Sequence, residues 1–385
     1  MPALSRRSAK PKAAKTQARP RPSSANLVAI GPEFGTLLQQ VKTQTDKRLS
    51  AVLERERAHN GALGEEVRLS LEAAAELTSR GGKRLRAALV LAGFEAAYDP
   101  GSQFAQAAPR AKTKRLVTEV GVAVELLQAY FLIHDDWMDQ DDTRRNGPSV
   151  HAALSRSFDS VHKGACGAVL VGDYLVALAA GHFAKHAVDH PNFPQLMESF
   201  IGMQLAAVSG QLLDVIGLTR DAAQVYRLKT GSYTVNGPLK LGALLGGAQR
   251  ALLGRLEAFA DPVGLAFQLR DDQLGAFGNP EATGKPFGSD VREGKWTWIA
   301  QYAFANASPA QLKVLKRAFG NPQALPNELR AAVQALEATG ARAAAEQLIQ
   351  QQTQKARSIL SRLAITEYGK HLLTSAIDTF VTRAH

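Results

Sequence analysis

From Phe34 almost to the C-terminus, apolar residues return every three or four positions, and no segment alternates apolar and polar residues as a half-buried strand would. Leu37, Leu38 and Val41 begin the pattern, Leu49, Val52 and Leu53 continue it, and Leu69, Leu71, Ala74 and Leu77 carry it to the pair Gly81–Gly82. The spacing predicts further helices over 84–97, 115–142, 161–186, 194–216, 221–249, 254–275, 295–304, 309–319, 327–362 and 367–383. Breaks fall at Pro100–Pro109, Asn146–Pro148, His190–Pro194, Asn279–Pro286 and Asn321–Pro326. No repeat of roughly 20–50 residues interrupts the series. The expected fold class is all-α: one large helical bundle.

Residues 1–30 differ from the rest. They carry Arg6, Arg7, Lys10, Lys12, Lys15, Arg19 and Arg21 and no acid; removing these seven charges from the net +11 leaves +4 on the remainder. This stretch is rich in Pro, Ala and Ser and cannot bury an apolar stripe, so a disordered basic tail over 1–30 is expected before a helical domain over 31–385. The tail lacks the apolar segment of a secretory signal, and its prolines break the amphipathic helix of a transit peptide. A basic nucleic-acid-binding protein would spread charge over its fold, so no nucleic-acid partner is expected. No run of about 18 consecutive apolar residues occurs, so no stable membrane insertion is expected. Cys166 is the only cysteine, which excludes an intrachain disulfide and fits a reducing, cytoplasmic home.

The sharpest chemical feature is His134-Asp135-Asp136-Trp137-Met138-Asp139, at the end of an apolar helix. Residues four apart share a helix face, so Asp135 and Asp139 point the same way, with Asp136 about 100° round. Two carboxylates one turn apart suit a hard, oxygen-preferring divalent cation, namely Mg²⁺. Asp142 is expected to extend this acidic face. A second pair, Asp271-Asp272, ends the apolar run GLAFQLR, with Gln268 on the face of Asp271. Solvated helices scatter acids among lysines; two acid clusters set against Leu, Ile and Phe call for a metal–phosphate counter-charge.

Cations suited to phosphate lie nearby in sequence. Gly81-Gly82-Lys83-Arg84-Leu85-Arg86 puts Lys83 and Arg86 one turn apart after a glycine pair. Arg144-Arg145 follows the first acidic cluster, and guanidinium suits bidentate phosphate contact. Lys229-Thr230, Lys285 and Lys295 are further candidates. Nucleotide-binding loops are excluded: Gly278–Gly284 and Gly288–Gly294 enclose five residues where a P-loop has four, and Pro286 and Trp296 follow the lysines. No GxGxxG follows a strand.

In motif order the chain resembles the trans-prenyl diphosphate synthases of the polyprenyl synthetase family, over roughly residues 34–383. GGKRLR (81–86) is similar to that family's isopentenyl diphosphate loop, and HDDWMDQDDTRRNGPSVH (134–151) to its first aspartate-rich motif with the arginine pair. GDYL (172–175), GQLLD (210–214) and KTGSYT (229–234) match in turn, then FQLRDDQLGAFG (267–278) and GKPFGSDVREGKWT (284–297). The resemblance implies an isoprenoid synthase bundle with a central active-site cavity, a homodimer, and two substrates: isopentenyl diphosphate and an allylic diphosphate. It assigns Lys83, Arg86, Gln128 and Arg145 to isopentenyl diphosphate, and Arg144, Lys229, Thr230, Gln268, Lys285 and Lys295 to the allylic partner. It further implies three Mg²⁺ ions, two at Asp135 and Asp139 with Asp136 close by, and one at Asp271. Gln128 stands where many bacterial members have histidine. Two departures stand out: Gly275 replaces the last acid of the second motif, and Trp296 and Trp298 add bulk around Thr297.

The implied reaction needs no dedicated protein base. Metal ions and basic residues stabilise diphosphate as a leaving group. The Thr230 hydroxyl and the Gln268 amide oxygen face the allylic cation, and released pyrophosphate takes the final proton. A class I terpene cyclase of the same fold is the nearest alternative, but GGKRLR and DDQLG speak against it. A non-catalytic regulatory subunit should have lost aspartates of the first motif, and this chain keeps them. Tyr130 and Phe131, five and four residues before Asp135, are expected at the floor of the chain-elongation pocket. Two adjacent aromatics there resemble synthases that stop at farnesyl diphosphate, whereas DDQLGAFG is closer to geranylgeranyl enzymes; the aromatics favour farnesyl.

Overall fold

The fold is known from a computed structural model that describes residues 33–218, 221–278 and 287–381. Lys285 and the basic tail lie outside these residues. Among these residues, eleven helices lead to the second acidic motif: α1 (Phe34–Asn60), α2 (Glu65–Ser79), α3 (Leu85–Ala97), α4 (Gln103–Ala107), α5 (Arg110–Met138), α6 (Val150–Ser157), α7 (Val161–Ala187), α8 (Phe193–Ile216), α9 (Ala222–Tyr226), α10 (Gly237–Leu245) and α11 (Arg250–Phe277). Six more described helices come after it: α12 (Ser289–Glu293), α13 (Trp298–Asn306), α14 (Pro309–Ala318), α15 (Pro326–Ala338), α16 (Ala341–Ser361) and α17 (Glu367–Val381). Among the described residues the only sheet is a two-residue ladder pairing Thr143 with Pro148 and Arg144 with Gly147. The all-α expectation holds.

Helix α5 is the axis of the bundle. Gly121 through Ala129 are all buried, with α3 and α7 packed along it. Such an all-round apolar helix suits the centre of a large domain. One core joins α2, α3, α5, α7 and α8 through Leu77, Phe94, Leu126, Leu127, Phe183 and Phe200. A second joins α1, α10, α11 and α17 through Phe34, Leu239, Phe259 and Phe380. The charged exception inside α5 is Glu125, which faces the buried Arg84 guanidinium at 3.3 Å. Arg84 also donates to Asp46 Oδ1 (2.7 Å) and to the Thr78 carbonyl (2.7 Å), and so fastens the Gly81–Arg86 loop to α1, α2 and α5.

Three expected helices differ in detail. The 327–362 segment breaks at Gly340, whose φ of +82° is left-handed backbone. Helix α5 ends at Met138, so Asp142 is not on the acidic face; it sits exposed in the following turn, 3.5 Å from His151 Nε2. The 221–249 segment is α9, then a π-helix over Arg227–Asn236, then α10. Pro238 has no N–H to donate into the preceding turn, and Gly210 of α8 presses against this stretch: a Cβ there would stand 2.2 Å from the Lys229 backbone nitrogen. The wider helix turns Lys229, Thr230 and Tyr233 together toward one cavity.

Helices α5, α7 and α8 are each long and apolar enough, by length and mean hydropathy, to cross a membrane. The expectation of no span rested on uninterrupted runs, which these helices lack; their averages suffice. In α5 the apolar surface is largely covered by the protein's own core, whereas α7 and α8 keep much of theirs outside.

Candidate active site

The two acidic motifs end α5 and α11, and the structure brings them to one cavity of about 490 Å³. Asp135 lines one side; Asp271 and Asp272 line the other, with Lys229, Thr230 and Gln268 between. Arg86 and Gln128 also line it. Asp139 faces an adjoining cavity of about 990 Å³, and Asp214, Lys295 and Trp296 border both.

The acids are balanced by lysines. Lys229 Nζ lies 3.3 Å from Asp135 Oδ1 and donates to Asp214 Oδ2 at 2.6 Å. Lys295 Nζ donates to Asp139 Oδ2 at 2.8 Å. Burial raises the Asp135 pKa, but Lys229, Lys295 and Arg144 outweigh it and hold the carboxyl below its ordinary value. Burial likewise opposes the charge of Lys229, and Asp135 and Asp214 reverse the effect, raising its pKa. This is a set of ionised oxygens that already attracts cations, the donor chemistry a hard divalent ion takes.

Asp136 is placed differently from the expectation. It is fully buried and outside the cavity lining; its Oδ1 accepts from Arg144 Nε at 2.6 Å. Burial pushes its pKa up to about 6. The helix turns it 100° from Asp135, into the wall, so it anchors Arg144 instead of presenting oxygens with Asp135. Arg144 keeps an edge in the cavity, with Nη2 3.8 Å from Asp135 Oδ2.

On the opposite side, a chain of hydrogen bonds fixes Thr230, Gln268 and Asp272. Thr230 Oγ1 donates to Gln268 Oε1 (2.6 Å), Gln268 Nε2 donates to Asp272 Oδ1 (2.8 Å), and the Tyr226 hydroxyl donates to the other Asp272 oxygen. The Trp298 backbone N–H reaches Tyr226 at 2.6 Å, which gives the bulky Trp296–Trp298 segment a role beyond packing. Burial pushes Asp272 up to about 8. Asp272 orients Gln268 and is not equivalent to Asp271, despite the adjacent sequence.

Gly275 also acquires a reason. A Cβ at this position would meet Asp290 Oδ2 at 2.1 Å. The space where a motif carboxylate would hang from α11 is thus filled by the carboxylate of Asp290 on α12, which lines the same cavity.

Toward the other end, Arg86 donates to Thr234 Oγ1 at 2.7 Å and lies over the Tyr233 ring at 4.4 Å. Its Nε and the Oε1 of Gln128 are buried polar atoms with no protein partner. Arg145 donates to the Gly81 carbonyl (3.0 Å), locking the two loops together, while Lys83 sits exposed on the Gly81–Arg84 turn. Tyr130 and Phe131 stand one layer behind the cavity lining: the Phe131 ring packs on Tyr233 (4.7 Å between centroids) and on Tyr130 (4.8 Å). Tyr233, Tyr226, Asp214, Asp290 and Gln211, which donates to Asp135 Oδ1 at 3.0 Å, escaped the sequence reading as individual residues, although GQLLD and KTGSYT contain three of them.

Comparison with known proteins identifies the family. The profile of the Polyprenyl synthetase family matches residues 67–336. The chain is 31% identical to a geranylfarnesyl diphosphate synthase of Aeropyrum pernix, across 81% of this chain and 93% of that one. It is 33% identical to a (2E,6E)-farnesyl diphosphate synthase of Mycobacterium tuberculosis, across 68% of each. A geranylgeranyl pyrophosphate synthase from Corynebacterium glutamicum, solved with isoprenyl diphosphate and magnesium, superposes with a TM-score of 0.81 at 29% identity, covering 91% of this chain and all of that one. With opposed aspartates around one cavity, the family's motifs in order and a match over most of its length, the chain belongs to the polyprenyl synthetase family and is a trans-prenyl diphosphate synthase.

Proposed function

We propose that the protein condenses isopentenyl diphosphate with dimethylallyl or geranyl diphosphate and releases farnesyl diphosphate as its main product. The observation that carries the reading is the two-ended cavity. Acids interleaved with lysines form one end, and Arg86 with the unpartnered Gln128 oxygen forms another. A terpene cyclase has a single diphosphate to hold and no use for the second set.

The bound Mg²⁺, three ions in this reading, would be held by Asp135 and Asp139 on one side and by Asp271, with Asp290 beside it, on the other, and would neutralise the departing diphosphate. Lys229, Lys295 and Arg144 add fixed positive charge around that diphosphate, worth more in a cavity than in water. Thr230 donates its proton to Gln268, which leaves the hydroxyl lone pairs free to face an electron-poor carbon. Arg86 and Arg145, with Lys83 at the loop, hold isopentenyl diphosphate so that its double bond meets the allylic carbon. Incubation with radiolabelled isopentenyl diphosphate and each allylic primer tests this. Labelled farnesyl diphosphate is expected; no incorporation with any primer would overturn the reading.

Chain length rests on the aromatic layer. Phe131 supports Tyr233 from behind, about 6 Å along α5 from Asp135. Phe131→Ala removes that support and is expected to shift products toward twenty carbons and beyond. An unchanged product spectrum from the folded, active variant would refute the farnesyl assignment to this layer.

We further propose a homodimer. Ile201, Leu205, Val208, Leu212 and Val215 are exposed on α8 at alternating four- and three-residue spacing, and no charged residue occurs from 201 to 213. That spacing makes a narrow seam for a second helix, which a two-fold axis would supply from another copy. The double variant Leu205→Glu/Leu212→Glu is expected to halve the solution mass measured by light scattering; an unchanged mass would sink the proposed interface.

A further inference from the structure

Far from the acidic cavity, α5 and α7 bring together three potential ligands that the reaction does not use. Glu119 lies sixteen residues before Asp135 on α5, about 24 Å along the helix. His182 and His186 face it from α7, one turn apart. One ring nitrogen of each imidazole and a Glu119 oxygen all lie within 4.8 Å of one another, and this is the one such group of three among the described residues. His182 Nε2 is 3.0 Å from Glu119 Oε2, and His186 Nε2 is 3.8 Å from the same oxygen.

We propose that Glu119, His182 and His186 form a second metal site, separate from the Mg²⁺ cavity, that takes a borderline divalent transition ion such as Zn²⁺. Two imidazoles and one carboxylate select nitrogen-preferring ions over Mg²⁺. Metal–ligand bonds of about 2.0–2.2 Å separate tetrahedral ligand atoms by somewhat over 3 Å, so small side-chain adjustments close the site. Arg48 Nε donates to Glu119 Oε1 at 2.8 Å, which fixes the carboxylate and leaves Oε2 aimed at both rings. That is the outer hydrogen bond a ligating carboxylate ordinarily has, although the guanidinium also repels a cation and limits affinity. His182 is buried, whereas His186 is partly exposed and gives an entry path and room for a water as fourth ligand. Burial and the neighbouring His182 lower the His186 pKa, although Glu119 opposes them. Ligation uses the His182 tautomer with its proton on Nδ1, so that the Nε2 lone pair takes the metal in place of the contact with Glu119 Oε2. The site ties α5 to α7, so its expected consequence is stability.

Calorimetric titration of the full chain with Zn²⁺ in excess Mg²⁺ tests the proposal. A Cys166→Ser background removes competition from the exposed Cys166–His162 pair, whose Sγ and Nε2 are 3.7 Å apart. One equivalent per chain is expected, with a raised melting temperature and, with Co²⁺ as probe, tetrahedral visible absorption. His186→Ala, at the exposed edge, should fold, keep Mg²⁺-supported activity, and weaken binding at least tenfold; Glu119→Gln should do the same if it folds. No binding by the Cys166→Ser protein, or equal binding by His186→Ala, would place the ion elsewhere and overturn the site.

Discussion

Asp135→Ala is expected to lower turnover by about a thousandfold or more, roughly 4 kcal/mol of barrier, with helicity and melting temperature nearly unchanged. The two halves of this expectation have separate causes. Asp135 is partly exposed to the cavity, and its loss leaves Lys229 paired with Asp214 at 2.6 Å, so no buried charge is orphaned. An ion pair at such a site contributes about 1 kcal/mol or less to folding. The catalytic loss comes from removing an oxygen ligand where negative charge must be neutralised during diphosphate departure. Neighbouring Asp136 makes the contrast: it is fully buried and accepts from Arg144, so Asp136→Ala removes a buried hydrogen-bond partner and should cost about 1–3 kcal/mol of stability, with Asp135 and Asp141 left 3.8 and 3.7 Å from the guanidinium. Circular dichroism, thermal melts and the radiolabel assay separate these outcomes, and chelation by EDTA should abolish activity of the wild type. Full activity in EDTA, or in Asp135→Ala, would sink the metal assignment.

Gly275→Asp should inactivate the enzyme by about a hundredfold or more, although it writes the family's missing acid back into the second motif. The new Cβ alone would lie 2.1 Å from Asp290 Oδ2, far inside contact distance, and its carboxylate would join Asp271, Asp272 and Asp290. Replacing glycine inside a helix gains at most about 1 kcal/mol, too little to offset that overlap and the like charge. Pairing it with Asp290→Gly vacates the space and returns the acid to α11; the double variant is expected to recover part of the lost activity. A fully active Gly275→Asp single variant would show that Asp290 does not occupy the place of the motif carboxylate.

Both expectations turn on a distinction between neighbours that one-dimensional spacing only partly reveals. The helical period separated Asp135 from Asp136 by 100°, but it could not say that the second direction leads into a buried wall with Arg144 waiting. The helical period stops at Met138, where the chain turns toward the small ladder at Thr143–Pro148, so Asp142 leaves the acidic face that the spacing predicts for it. The 221–249 segment reads as one ordinary helix, since apolar spacing does not register the missing donor of Pro238 or the close approach of Gly210.

The sequence by itself determined the fold class, the motif order, the two acidic helix ends and the cations that answer them. These depend on local period and on residue chemistry, which the chain carries wherever it is placed. Only the tertiary structure decided that Asp214 shares Lys229 with Asp135, that Asp290 stands in for the acid absent at Gly275, and that Glu119 meets His182 and His186. Each of these joins residues from different helices, and their meeting depends on how closely those helices pack. That closeness is set by small residues and buried side chains acting across the core, a cooperative property that no single helix contains.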